Sequence, residues 1–191
     1  TFERLLDEPL SPAVAVAAAA WHRDVPIDHA GYRELLGEVP GVLEAFAALD
    51  EPARSLVREH TQRTARGMVG YVDRTHAGVL ALDTLQELRD YCYVVAGIVG
   101  EMLTGLFLIG RPELEPVADA LRARARLAGE AQQLVNILKD SADDATEGRS
   151  YLPRDTARAT VFALARDDLQ AAGEYVLLLQ DAGPERGVVE F

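Results

Sequence analysis

The sequence predicts an all-α protein. Its 191 residues are 49% hydrophobic, with many Ala, Leu and Val residues, which is enough apolar material for one packed core. Apolar residues recur with the helical period of about 3.6, most clearly between residues 52 and 75. Proline and glycine interrupt the chain at helix-length intervals, and no alternating run of β-branched residues is bounded by hairpin turns. We therefore expect a bundle of long helices.

Each helix is predicted from the residues at its ends. Starts are placed at N-cap residues or at prolines of the first turn, and ends at glycines. The resulting helices are residues 13–24 after Ser11 and Pro12, 29–37 capped by Asp28 and ended by Gly37, 42–49 after Pro40 and Gly41, 53 to about 78 after Pro52, 84–110 capped by Asp83 and stopped by Gly110, 121–145, and 160–181 after a polar loop.

Net charge restricts the partners of the protein. The formal charge is -12 and the pI is about 4.7, which disfavours nucleic acid, because a phosphate backbone requires a basic face. An acidic protein that binds a diphosphate would need metal ions to bridge the like charges. The single cysteine, Cys92, excludes an internal disulfide and fits a reducing compartment, so we expect a cytoplasmic protein and interpret Cys92 as a core residue.

Residues 91–110 are apolar and just long enough to span a bilayer. Glu101 stands at the middle of this segment, where an acid costs about 2.5–3.5 kcal/mol in lipid. We therefore interpret the segment as a buried helix of a soluble bundle. For Glu101 itself, a hydrogen-bonded structural role and a functional role are equally open.

A polar stripe runs along the helix at residues 121–145. Gln133, Asn136, Asp140 and Asp144 follow the three-and-four spacing that places side chains on one helix face, with apolar residues on both flanks. Carboxylates one turn apart can bind one magnesium ion together and leave positions for substrate oxygens. From the spacing alone, a solvated helix face is the alternative interpretation.

Two segments carry a more specific signal. Residues 136–153, NILKDSADDATEGRSYLP, resemble the second aspartate-rich motif of the squalene/phytoene synthase family, with its pattern N-I-x-R-D-x-x-x-D followed by E-G-R, aromatic residues and Pro. Residues 89–107, RDYCYVVAGIVGEMLTGLF, resemble the Y-C-x-Y-V-A-G-x-V-G segment of the same family, and residues 65–74 resemble the helix before it. The resemblance covers most of residues 50–191.

The resemblance implies a class I isoprenoid synthase fold, a helical bundle around a central cavity. It also implies a magnesium-dependent prenyltransferase that joins two prenyl diphosphates head to head through a cyclopropyl diphosphate. The products of this chemistry are squalene, dehydrosqualene or phytoene. We favour farnesyl diphosphate as substrate, and NADPH is required if squalene is the product. We expect residues 91–107 and 127–144 to be neighbours that line one cavity, and peripheral membrane contact during product release stays open.

The resemblance also assigns roles to single residues. Asp140 and Asp144 match metal ligands, and Gln133, Asn136, Lys139 and Arg149 match positions that bind the diphosphate. Lys139 stands where the family usually has Arg, which keeps the charge but loses the bidentate fork. Tyr91 matches the tyrosine that steers the cation or its proton. A core tyrosine with a satisfied hydroxyl is an equally open interpretation of Tyr91.

The first aspartate-rich motif of the family has only a partial counterpart. The chain opens with TFERLLDEP, in which Glu3 and Asp7 have the spacing to supply part of that metal site, while Arg4 stands where an acid is expected. We expect residues 1–191 to form a single isoprenoid synthase-like domain, incomplete at both ends.

Two other functions compete with the prenyltransferase. One is a non-catalytic helical homologue that acts in assembly or scaffolding, which the partial first motif favours and the complete second motif disfavours. The other is a head-to-tail prenyl synthase or terpene cyclase with the same fold and metal chemistry. The Y-C-x-Y-V-A-G segment and the E-G-R-x-Y-x-P turn argue against the second of these.

Overall fold

The computed structural model describes Ala20 and residues 30–74, 80–146 and 150–182, with the backbone only for residues 142–146. Its helices are α1 Ala30–Gly37, α2 Val39–Ala48, α3 Glu51–Arg74, α4 Leu85–Cys92, a π-helical turn Tyr93–Gly97, α5 Ile98–Leu108, a 3-10 helix Pro112–Val117, α6 Ala118–Thr146 and α7 Arg158–Asp181. Within these ranges the only β-type pairing is an isolated parallel bridge between Ala81 and Ser150. The all-α prediction is therefore confirmed.

The chain divides into two compact units, residues 1–65 and 66–191, with the boundary inside α3. In the first unit, Leu43 and Phe46 of α2 are buried. Arg54 of α3 donates hydrogen bonds to the carbonyl oxygens of Ala47 and Leu49, and Arg58 lies over the Phe46 ring, 5.9 Å from its centroid. These contacts fix the turn between α2 and α3.

The start of α4 corrects a predicted cap. The sequence suggested Asp83, but the N-cap is Thr84, whose hydroxyl accepts a hydrogen bond from the backbone N–H of Glu87. The Glu87 carboxylate in turn accepts from the backbone N–H groups of Thr84 and Asp83. Glu87 stands three residues after Thr84, and that spacing forms a capping box that Asp83 could not form.

The predicted helix 84–110 is present but not uniform. Its middle is the π-helical turn Tyr93–Gly97, in which the backbone N–H of Ile98 donates to the Tyr93 carbonyl. The helix ends at Leu108, and Gly110 adopts a positive φ of 66°, as its predicted stop role requires. By length and composition, Leu85–Leu108 is also the one segment among the described residues that could cross a membrane, a property that core helices of soluble proteins share.

Helices α5 and α6 cross in backbone contact. A Cβ atom on Gly100 would lie 2.2 Å from the carbonyl oxygen of Ala125, and one on Gly129 would lie 2.2 Å from the carbonyl oxygen of Ala96. Both positions therefore require glycine. The two contacts hold the segment around Ala96 and Gly100 directly against α6 and so fix two walls of the cavity described below.

Candidate active site

A cavity of about 470 Å³ is bounded by four elements: the Tyr93–Gly97 turn, α5, α6 and α7. This volume is within the range of about 300–1,000 Å³ that is usual for small-molecule sites. Residues 95–107 and 125–136 supply most of its walls, so the predicted neighbourhood of the two motif helices is confirmed. The cavity has a polar end on α6 and an apolar end to which α7 contributes Tyr175, Val176 and Leu179.

The polar end carries the stripe that the sequence predicted. Gln133 and Asn136 line the cavity, whereas Leu134, Ile137 and Leu138 on the other side of α6 are buried in the core. The helix therefore separates polar from apolar residues, but Asn136 is exposed and Gln133 is partly exposed, so both line an open cavity and a solvated face stays an open interpretation for them.

Asp140 lies one turn beyond Asn136 and outside the cavity lining. Its side chain is 47% exposed, and its carboxylate lies 3.6 Å from the ammonium group of Lys139. The backbone of α6 continues through Asp144 to Thr146. The side chain of Asp144 and the predicted site residues Arg149, Glu3 and Asp7 lie outside the residues that the structure describes.

The oxygen donors at this end suit a magnesium ion in kind. Asp140 offers a carboxylate and Asn136 an amide oxygen on the same helix face, and magnesium prefers hard oxygen ligands of this type. Within the described ranges, no group of three or more His, Cys, Asp or Glu side chains comes together. Asp140 therefore supplies part of a ligand set at most, and the predicted metal site stays a prediction.

Tyr91 lies in the core behind this wall. It is 7% exposed, stacks on Tyr151 with ring centroids 5.2 Å apart, and meets Tyr71 edge to face at 5.1 Å. Tyr91 is not one of the described residues that line the cavity. Its catalytic role stays a prediction, and the packing shows what positions its ring. Tyr151 belongs to the E-G-R-x-Y-x-P turn, so the two resemblance segments are in direct contact.

A buried charge network lies on the opposite face of α6 and was not predicted. Glu130 is fully buried and accepts hydrogen bonds from Arg126 at 2.5 Å and from Arg89 at 3.3 Å. Arg89 also lies 3.9 Å from Asp168 of α7, which is 4% exposed. The guanidinium of Arg126 stacks over the Tyr93 ring at 4.4 Å. This network ties α4, the π-helical turn, α6 and α7 together.

Burial raises the pKa of Asp168, with the Glu130 carboxylate adding to the increase and Arg89 opposing it. One of its carboxylate oxygens, Oδ2, is buried without a hydrogen-bond partner among the described residues.

The sequence contained a signal for both buried acids, Glu130 and Asp168. Glu130 precedes the buried Leu134 by four residues, and Asp168 stands between the buried Ala165 and Tyr175 at helical spacing, so each acid interrupts an apolar stripe.

Cys92 is fully buried next to this network and is not bonded to another cysteine. Burial raises the pKa of its thiol to about 12, and the carboxylates of Glu130 and Asp168 contribute to the increase. A thiol with this pKa stays protonated at neutral pH and is a poor nucleophile. The interpretation of Cys92 as a core residue is confirmed.

The described part of the chain is an all-α protein with a largely apolar cavity, one end of which carries the amides of Gln133 and Asn136 with the carboxylate of Asp140 nearby. The sequence model of the squalene/phytoene synthase family matches residues 2–182, so the chain belongs to this family. The predicted fold class, that of the class I isoprenoid synthases, agrees with this membership.

Three relatives show how far the similarity extends. The chain is 29% identical to squalene synthase ERG9 of Candida albicans over 123 residues, which are 64% of this chain and 28% of the relative. It is 30% identical over 122 residues to a squalene synthase of Mycosarcoma maydis, covering 64% of this chain and 21% of the relative. It is 31% identical over 125 residues to a probable squalene synthase of Neurospora crassa, covering 64% and 25%. The matched region is thus about a quarter of the length of these relatives.

Proposed function

We propose that the protein is a head-to-head prenyltransferase that condenses two prenyl diphosphates, with farnesyl diphosphate favoured. The observation that carries the proposal is the continuity of the α6 face, which runs from the cavity lined by Gln133 and Asn136 to Asp140 outside it. A diphosphate at the Asp140 end would leave its prenyl chain in the cavity. Family membership supports the same chemistry.

The residues of this face would bind the leaving group. Asp140 and Asp144 would hold magnesium, with Glu3 and Asp7 as further candidate ligands. Bound magnesium supplies charge neutralisation for the departing diphosphate. Lys139 and Arg149 would add positive charge, and the amides of Gln133 and Asn136 would hydrogen-bond to phosphate oxygens or to metal-bound water.

The apolar walls would protect the cation that forms when diphosphate leaves. Val95, Val99 and Leu103 line the cavity and offer no nucleophile that could capture the allylic cation. Gly100 and Gly129 let the two walls meet in backbone contact, and both also line the cavity, where the absence of a side chain leaves volume for a chain.

The reaction has two steps whose atoms balance. One diphosphate leaves and the carbon–carbon bond forms with loss of a proton, which gives a cyclopropyl diphosphate. The second diphosphate then leaves, and the rearranged cation takes a hydride from NADPH to give squalene or loses a proton to give dehydrosqualene or phytoene. Tyr91 stays the candidate for steering a cation or proton. Because the products are hydrocarbons, we also propose that a cytoplasmic enzyme releases them at a membrane surface.

Asp140→Ala tests the proposal. In the full-length protein, this variant should lose magnesium-dependent binding of farnesyl diphosphate, measured by titration calorimetry, while its helix content by circular dichroism stays unchanged. Asp119→Ala is the matched control, because Asp119 is a fully exposed acid at the start of the same helix, and it should bind like the unaltered protein. Undiminished binding by Asp140→Ala would count decisively against the assignment.

A further inference from the structure

Tyr175 lies at the apolar end of the cavity, with Leu179 one turn further along α7. Tyr175 is 8% exposed and lines the cavity near Leu103 and Phe107. Tyr175 also belongs to a second core cluster, which contains the fully buried Leu114 and Leu121. The phenol ring is therefore shared by the cavity wall and this core cluster.

A hydrogen-bond chain holds the Tyr175 ring in place. The hydroxyl of Thr104, which is 1% exposed, donates to the Gly100 carbonyl oxygen at 2.8 Å. The same hydroxyl lies 2.8 Å from the Tyr175 hydroxyl. Because a threonine hydroxyl has one hydrogen and the carbonyl uses it, the Tyr175 hydroxyl is the donor to Thr104. The polar end of the ring is thus satisfied inside an apolar region, and its orientation is fixed to α5.

The length of the α6 wall of the cavity can be compared with the length of a prenyl chain. Along α6 the cavity extends from Asn136 to Ala125, about 16 Å at about 1.5 Å per residue. An extended prenyl chain grows by four carbon–carbon bonds per isoprene unit, about 5 Å from bonds of about 1.5 Å. Three isoprene units therefore match the length of this wall, and a fourth unit that followed the wall would extend past Ala125 towards Tyr175.

We propose that Tyr175, positioned by Thr104, limits the cavity to a fifteen-carbon prenyl chain and so determines which diphosphate the protein accepts. This inference rests on the proposed function and adds to it the residue that sets the chain length. Tyr175 selects by shape. Its hydroxyl is used by Thr104, so removing the ring should matter more than removing the hydroxyl.

The test compares Tyr175→Leu and Tyr175→Phe in the full-length protein. Geranyl, farnesyl and geranylgeranyl diphosphate are each titrated with magnesium present, and kcat/KM is measured for the same three compounds. Tyr175→Leu should raise the preference for the twenty-carbon over the fifteen-carbon compound by about tenfold or more, the scale on which apolar pockets discriminate added carbons. Tyr175→Phe keeps the ring and should shift this ratio much less.

Two further variants keep the test decisive. Leu177→Ala shortens an exposed side chain of the same helix and should leave the ratio unchanged. Val176→Phe enlarges a partly exposed cavity residue, so it should fold even where Tyr175→Leu does not, and it should shift preference towards the ten-carbon compound. An unchanged ratio in folded Tyr175→Leu, or no shift in Val176→Phe if the former does not fold, would overturn the inference.

The test also separates the two proposals. If the unaltered protein binds and converts farnesyl diphosphate but Tyr175→Leu retains the same chain-length ratio, the chain-length inference alone fails. If the folded unaltered protein neither binds nor converts any of the three diphosphates, the proposed function fails, and the chain-length inference fails with it.

Discussion

Gly129→Ala perturbs the contact on which the cavity walls depend. The added methyl group would lie 2.2 Å from the carbonyl oxygen of Ala96, 2.8 Å from its carbonyl carbon and 3.2 Å from the Cα of Gly97. All three neighbours are backbone atoms, so no side-chain rotation can relieve the overlap. Ordinary contact requires about 3.5 Å, and the helices must therefore separate by about 1 Å.

The size of the effect follows from two opposing terms. Overpacking of this kind costs about 1–3 kcal/mol, while alanine is favoured over glycine inside a helix by about 1 kcal/mol. Because the overlap is with backbone atoms, we take the upper part of the packing cost, about 2–3 kcal/mol. After the gain in helix propensity is subtracted, Gly129→Ala should lower the free energy of unfolding by about 1–2 kcal/mol. Separation of the walls should also weaken prenyl diphosphate binding, because Gly129 lines the cavity.

Gly173→Ala is the matched control. Gly173 lies inside α7, and a Cβ atom there would meet nothing within 4 Å. This variant gains helix propensity without overlap and should be more stable by up to about 1 kcal/mol. Urea denaturation followed by circular dichroism measures both changes. If Gly129→Ala proved as stable as Gly173→Ala, the close backbone contact between α6 and the π-helical turn would be refuted.

The buried charge network gives three more predictions. Glu130→Ala should lower the free energy of unfolding by about 2 kcal/mol in urea denaturation, less than for a fully buried pair because Arg89 and Arg126 are partly exposed. Because the pKa of Asp168 is raised, the native state binds its proton more tightly than the unfolded state does. Protonation of Asp168 therefore stabilises the native state fully below the unfolded pKa, and this stabilisation is lost as pH rises through the folded pKa. Asp168→Asn should lack this decline in a pH series of unfolding curves, and an identical series in both proteins would refute it. The Cys92 thiol should not react with Ellman's reagent at neutral pH until urea unfolds the protein, and fast reaction of the folded protein would show that its core opens.

The helices were largely predictable because each one carries its own pattern and end signals. Helix α7 begins at Arg158 where the sequence suggested residue 160, and both descriptions end at Asp181. The predicted cap lies one residue before Thr84, because Asp83 is as good an N-cap residue as Thr and only the reciprocal hydrogen bonds with Glu87 distinguish the two. The π-helical turn at Tyr93–Gly97 has no counterpart in apolar periodicity, since the segment is apolar on every face.

The site was predictable only where its residues lie on one helix. Gln133 and Asn136 were found because three-residue spacing places them together without knowledge of the fold. The contact between Thr104 and Tyr175 joins positions 71 residues apart, and no local pattern specifies it. Glu130 and Asp168 were visible as acids within apolar stripes, but their arginine partners depend on how α4, α6 and α7 pack.

Head-to-head condensation is identified by its products. The full-length protein is incubated with magnesium and farnesyl or geranylgeranyl diphosphate, with and without NADPH, and the products are identified by mass spectrometry. We expect a thirty-carbon hydrocarbon from farnesyl diphosphate with two diphosphates released, and squalene in place of dehydrosqualene only when NADPH is present and used. A longer prenyl diphosphate or a cyclised monomer as product, or a folded protein that converts neither substrate, would contradict this expectation.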